Sequence, residues 1–319
     1  MSLLPGPQAS PATLTPWLAE RLGVELVGSS PVGGGCIHSA WRLDLADGSR
    51  LFAKTNTTSS LPLLEAEAEG LQALAAAAGE GGPQVPVPLT HGISGRAAVL
   101  VLSWLDLERS QSAAEMLHWF RLGAELAQLH RRSLLHTCIP SDRPGAAYGW
   151  PTDNFIGSGP QLNAWQEHWG RFFVERRLAP QLEHLARSGT PLKQAQSLLE
   201  RAGEWLADHQ PDPCLVHGDL WSGNAAITAA GPGAIFDPAV YRGDREVDLA
   251  MARLFGGFPG AFFEGYADEW PLPSDHRQRL NLYNLYHLLN HANLFGGAYL
   301  GQCQASIDSL LSRGAQEGR

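Results

Sequence analysis

Over residues 1–105 apolar positions alternate or cluster in short runs, whereas over 106–319 they recur mostly at three- and four-residue intervals. In the first part, Thr15-Pro16 reads as an N-cap and first helical residue, opening a helix over 15–22. Strand-like stretches at 25–29, 39–45 and 50–54 follow, the last two flanking Ala46-Asp47-Gly48, a hairpin turn. An Ala/Leu/Glu-rich run over 61–78 carries Leu64, Leu71 and Leu74 at helical spacing and stops at Gly81-Gly82-Pro83. Residues 85–88 read as an extended connector and 97–102 as a short apolar strand.

Helical spacing then marks 112–131, 163–187 and 192–209, with a Pro/Gly-rich loop at 140–159 between the first two. Short buried strands are expected at 214–217 and 234–236, each bordering polar loops. The pattern predicts an α+β chain of two lobes. Residues 1–105 would form a small antiparallel sheet plus a helix, and 106–319 a larger, mainly helical lobe.

Composition narrows the function. An apolar fraction of 44% with 10 Trp and 11 Phe supplies a globular core. The balance of 23 Lys+Arg against 32 Asp+Glu, a formal charge of -9, argues against a broad nucleic-acid or anionic-membrane surface. Cys36, Cys138, Cys214 and Cys303 form no CxxC pair, which points away from zinc and from a secreted disulfide framework. The start has neither a basic n-region nor an apolar h-region, and no later stretch is long and apolar enough for a bilayer. A cytoplasmic protein is expected, monomer or dimer being open. The 12 His show no HExxH spacing, and His287 and His291 read as packing or binding a neighbour. A Gly-x-Ser-x-Gly elbow is missing, so serine-hydrolase chemistry is not indicated.

Phosphoryl transfer needs a carboxylate to take the acceptor's proton, a cation against the phosphates and oxygen ligands for Mg2+. In His217-Gly-Asp-Leu-Trp-Ser-Gly-Asn224, Asp219 precedes Asn224 by the separation found between base and metal ligand in a kinase catalytic loop, and Asp237 follows an apolar strand. His, Gly, Asp and Asn also make ordinary turns. Leu220-Trp221 inside a polar loop flanked by strands favours a rigidly presented site. An ordinary low-pKa carboxylate at Asp219 suffices for that role. Lys54 ends a strand, and Glu65, Glu67 and Glu69 lie on the next helix; Glu67 is the expected ion-pair partner and Glu65 the second choice. Gly33, Gly34 and Gly35 lie between strands, where bare backbone N–H groups can approach phosphate. Cys36 beside them is a small buried hydrophobe or, if exposed, a redox-sensitive thiol.

Together these residues resemble the fructosamine-3-kinase and ketosamine-3-kinase family, itself similar to aminoglycoside phosphotransferases and protein kinases. The resemblance spans nearly the whole chain: Gly33-Gly-Gly-Cys-Ile37, Phe52-Ala-Lys54, Glu65-Ala-Glu67, Pro160-Gln-Leu-Asn163 with Trp165 and Trp169, His217 to Asn224, and Phe236-Asp-Pro238 through Gly256-Gly-Phe-Pro259. It implies a protein-kinase-like fold, ATP and Mg2+ as cofactors, Asp219 as proton acceptor, Asn224 and Asp237 as metal ligands, and Ser103-Trp104-Leu105 as an adenine hinge. It implies phosphorylation of a ketosamine 3-hydroxyl and later release of the amine, on free or protein-bound substrates; an aminoglycoside, choline or amino alcohol is the alternative acceptor, and a non-catalytic nucleotide-binding module the other reading. It also tips Trp221 from core packing toward substrate contact, with Asn163 and its helix and the loop 153–157 completing the pocket. His217 and Asp248, in Asp244-Arg-Glu-Val-Asp248, would support the catalytic loop from behind, and Cys36 would be able to link two chains. Departures from the family are a longer amino-terminal tail, the placement of His38, and less polar hinge residues at Ser103-Trp104.

Overall fold

In the computed structural model, which describes residues 11–33, 37–107, 113–135 and 145–317, the apolar run at 97–102 is buried on both faces. Ala97, Val99 and Val101 turn one way and Ala98, Leu100 and Leu102 the other, as the two-residue repeat of a strand requires. Helix α1 (Pro11–Leu22) covers the first face through Leu14, Trp17 and Leu18. Strands β1 (Leu26–Val32), β2 (Ser39–Leu45) and β3 (Arg50–Thr57) pair antiparallel, and α2 (Leu61–Ala78) lays Leu64, Ala68 and Leu71 on the second face. Strands β4 (Pro88–Ser94) and β5 (Ala97–Ser103) complete a five-stranded sheet ordered β1-β2-β3-β5-β4.

Two details differ from the sequence-based expectation. Helix α1 starts at Pro11 rather than at Thr15 and carries Pro16 inside it. An interior proline costs about 3 kcal/mol. Burying Leu14, Trp17 and Leu18 returns roughly 1.5–3 kcal/mol each, so packing overrides the local signal. Strand β4 has no alternating apolar signature, since its apolar Leu89 and Ile93 lie, with His91, on its exposed side and Pro88 and Gly92 interrupt it. Its ladder to β5 alone makes it a strand.

The larger lobe follows: α3 (Ala113–Ser133), β6 (Asn154–Ile156), β7 (Gly159–Gln161), α4 (Trp169–Phe173), a π-helical turn at Val174–Leu178, α5 (Ala179–Arg187), α6 (Ala195–Trp205), β8 (Cys214–Val216), β9 (Ala225–Ile227), β10 (Gly233–Ile235), β11 (Tyr241–Gly243), α7 (Glu246–Leu254), α8 (Gly260–Glu269), α9 (His276–Phe295) and α10 (Ala298–Glu317). The short strands pair as β6–β7, β8–β11 and β9–β10. One core gathers Trp169, Phe172, Phe173, Tyr241 and Tyr283 beneath them. The helix expected over 163–187 begins only at Trp169, because a bridge between Tyr148 and Gln166 and a Trp150 N–H donated to the Asn163 carbonyl hold the preceding residues extended. The helix expected over 192–209 shortens to Ala195–Trp205.

The lobes meet where Gln84 exchanges two backbone hydrogen bonds with β10, at 2.8 and 2.9 Å, and where Trp150 Nε1 donates to Glu69 at 3.1 Å. Among the described residues no helix is long and apolar enough to cross a membrane.

Candidate active site

Strand β8 leads directly into His217-Gly218-Asp219, and the chain can turn there only because of what lies behind it. Gly218 has φ +80°, and a Cβ on it would collide with the Ala239 carbonyl. The fully buried Asp248, in the first turn of α7, accepts the N–H groups of His217 at 2.7 Å and Gly218 at 2.8 Å, and pairs with His130 Nε2 at 3.1 Å. Burial alone would raise the Asp248 carboxyl, but the bonded His130, with His217 and the Gly218 N–H, holds it below its ordinary value. His217 is also buried, which lowers its pKa and keeps the ring neutral. Its Nε2 lies 2.9 Å from the Phe236 carbonyl, and its Nδ1 accepts the Asp219 N–H at 3.3 Å.

Asn224 closes the loop. Its Nδ2 donates to the Asp219 carbonyl at 2.9 Å, to Asp219 Oδ2 at 3.2 Å and to the Asp237 carbonyl at 3.3 Å. With its NH2 group so engaged, Asn224 keeps its amide oxygen for a hard cation. Asp237 adopts φ +58°, a left-handed conformation that Asp tolerates better than most residues, and its half-exposed side chain reaches Lys54. An amide oxygen beside a carboxylate is the oxygen-only donor set that Mg2+ prefers, so these residues fit the metal.

Lys54 Nζ lies 2.7 Å from Glu67 Oε1 and 2.6 Å from Asp237 Oδ1, with only 8% of its side chain exposed. Burial pushes the ammonium down, yet Asp237 and Glu67 together override it and hold Lys54 above the ordinary lysine value. Glu67 is pushed up by its own burial, with the Lys54 ammonium opposing and the negative Asp237 adding to the rise. Alternate residues on a helix point to nearly opposite sides, which turns Glu67 away from Glu65 and Glu69. Glu65 lies 3.8 Å from His91 and Glu69 accepts from Trp150, leaving Glu67 alone on Lys54.

Asp219 differs from the ordinary carboxylate that sequence reasoning expects. Burial, together with the negative Asp237 nearby, pushes its carboxyl up to about 7, with the Asn224 hydrogen bond opposing. Its other near neighbour is His287 on α9, whose Nδ1 lies 4.0 Å from Asp219 Oδ1. Sequence reasoning read His287 as packing or binding a neighbour, without connecting it to Asp219. The only signal that it belonged here was a polar side chain on a helix that buries ten of its residues.

Lys54, Glu67, Asp219, Trp221, Asn224 and Asp237 line one cleft of about 930 Å³ between the lobes, with Gly33, Ser103, Trp104 and Leu105 on its walls. Ser103 is tied to Val87 twice, by its N–H and through its Oγ, both at 2.9 Å. Gly34, Gly35 and Cys36 lie outside the described residues. Asn163 is not brought to the cleft. It is completely buried, begins no helix, donates to the Thr152 carbonyl and Asn154, and accepts from Arg177 at 2.8 Å. Those bonds, with the Arg177 guanidinium 3.9 Å from the Tyr241 ring centroid, make it a strut under the cleft floor.

The model of the fructosamine kinase family matches residues 13–313. The chain is 43% identical over 281 residues to the "Probable ketoamine kinase slr1563" of Synechocystis, covering 88% of this chain and 89% of that protein. It is 33% identical over 298 residues to the rice "Protein-ribulosamine 3-kinase, chloroplastic", covering 92% and 82%. A crystal structure from Haemophilus somnus, "Putative fructosamine-3-kinase", superposes with a TM-score of 0.81 at 27% identity, covering 94% of this chain and 97% of that one.

Proposed function

The chain belongs to the fructosamine kinase family, and from that premise we propose that it uses ATP and Mg2+ to phosphorylate the 3-hydroxyl of ketosamines, with Asp219 as the proton acceptor. The observation that carries the reading is the single cleft in which a buried Lys54–Glu67 pair faces Asp219, Asn224 and Asp237. Lys54 meets the nucleotide phosphates and Glu67 holds it there, while Asp237 and Asn224 would hold the metal, which would supply neutralisation of phosphate charge. Of the cleft-lining residues, Ser103, Trp104 and Leu105 border the adenine and Gly33 faces the phosphates. Asp219 orients the acceptor hydroxyl and takes its proton late in transfer, a task that needs alignment more than basicity. Trp221, half-buried on the cleft wall, offers an aromatic face to the sugar or to its ammonium.

A phosphate at C3 is a good leaving group once the neighbouring ketone enolises toward the amine-bearing carbon. Its loss leaves an imine at that carbon, and hydrolysis of the imine releases free amine, with inorganic phosphate and a 3-deoxy dicarbonyl sugar as the other products, which amounts to deglycation. The relatives named for ketoamine and ribulosamine substrates support this acceptor class. The test is a panel of fructosamine, ribulosamine and erythrulosamine forms of one amine, with choline and an aminoglycoside, read by 31P NMR of the product. A new 3-phosphate resonance on a ketosamine is expected. Phosphate on choline or the aminoglycoside alone would overturn the acceptor assignment.

A further inference from the structure

Asp219 has two carboxylate oxygens, and among the described residues only one is held. Oδ2 receives the Asn224 amide at 3.2 Å, whereas Oδ1 faces His287 Nδ1 across 4.0 Å. That nitrogen is sealed from solvent and has no hydrogen-bond partner among the described residues. Leaving a buried polar atom unpaired is unfavourable, and an apolar side chain of similar shape would avoid the loss. The remaining interactions of α9 fix the ring in place rather than satisfy it. Arg279 forks onto Glu246 with two bonds of 2.8 Å, and Tyr283 donates to Asp244 at 2.7 Å. Burial also keeps His287 neutral, pushing its pKa down to about 3, with His291 adding to the effect. The ring therefore has a single N–H to give and acts as a donor rather than as a charge.

We propose that His287 is a positioning residue for Asp219: in the loaded enzyme its Nδ1–H donates to Asp219 Oδ1 and fixes the carboxylate against the acceptor hydroxyl. The inference rests on the reading of Asp219 as proton acceptor. Closing from 4.0 Å to hydrogen-bond length takes a movement of about 1 Å, and catalytic hydrogen bonds are commonly long until substrate is bound. Held by Asn224 on one oxygen and His287 on the other, the carboxylate is left with one orientation, so the alignment is in place before the phosphate moves.

The experiment compares His287→Leu, His287→Asn and His287→Gln with the wild type on whichever hydroxyl acceptor the wild type phosphorylates. Asn places its amide near the position of Nδ1, whereas Gln places it near Nε2. His287→Leu and His287→Gln should lower kcat by about 10- to 100-fold at unchanged ATP KM, and His287→Asn should recover most of that loss. In an Asp219→Asn background, His287→Leu should change the residual turnover by less than about twofold, because the partner it serves is gone. Equal kcat in all three variants, or an equal further loss in the Asp219→Asn background, would overturn the proposal. Should His287→Leu not fold, the Asn-to-Gln contrast decides alone, and equal activity of those two sinks the idea. A wild type inactive on every ketosamine but active on another acceptor refutes the assigned substrate instead, and the same comparison then runs on that acceptor.

Discussion

Burial sets the protonation of the groups around Asp219, and it acts in opposite directions on acids and imidazoles. It raises Asp219 and Glu67 and lowers His287. For His287 the sign is definite. The unfolded ring takes up a proton near pH 6.5 while the folded ring resists until about 3, so stability is complete above pH 6.5 and falls as pH drops toward 3. Between pH 7 and pH 5 that one ring removes about 2 kcal/mol. Asp219 and Glu67 contribute in the other sense over the same interval, so the informative quantity is a difference between variants. Urea denaturation at the two pH values should show His287→Leu losing about 2 kcal/mol less than wild type on acidification. An identical loss would mean that the ring is protonated when folded. None of this was legible from residue identity alone, because the shift of a histidine depends on its surroundings, and those come from α9, β8 and α7 together.

Elements, by contrast, were legible where their own apolar pattern sufficed and illegible where neighbours decided. The helix over 61–78 and the hairpin strands at 39–45 and 50–54 follow from spacing and turn chemistry, and the structure places them at Leu61–Ala78, Ser39–Leu45 and Arg50–Thr57. The late start of α4 depends on a bridge from Gln166 back to Tyr148, and the existence of β4 on its ladder to the adjacent β5. The crossing of α3 and α8 is another such feature. A Cβ on Gly123 would run into the Phe262 carbonyl, and one on Gly265 into the Phe120 carbonyl, so the two backbones touch at reciprocal glycines. Gly123→Ala and Gly265→Ala should each destabilise the protein by about 1–3 kcal/mol, because backbone must shift to make room. Gly203→Ala, inside α6 with open space around it, should stabilise it by roughly 0.5–1 kcal/mol. Chemical denaturation of the three variants checks both signs, and a destabilised Gly203→Ala would contradict the account.

At the scale of the molecule, Lys54 ties the lobes by pairing with Glu67 on its own side and Asp237 on the other, and the cleft lies between them. Nucleotide binding there should stabilise the fold as a whole. At 100 times its Kd, ATP with Mg2+ adds about 2.7 kcal/mol, or roughly 5 °C in Tm for a chain of this size. Lys54→Met should lose most of that shift, and Asp219→Asn should keep it, as measured by differential scanning fluorimetry. A full shift in Lys54→Met would remove Lys54 from phosphate binding.

The sequence by itself determined the order of the candidate residues, Lys54, the glutamates of the next helix, Asp219, Asn224 and Asp237, since motif spacing and the strand or helix beneath each residue are local properties. Only the tertiary structure decided which of three glutamates meets the lysine, that Asn163 props the cleft floor instead of lining the cleft, and that His287 ends beside Asp219. Each depends on a contact between side chains of different elements. Such contacts are selected by the packing of a whole core, which the spacing of residues along the chain does not specify.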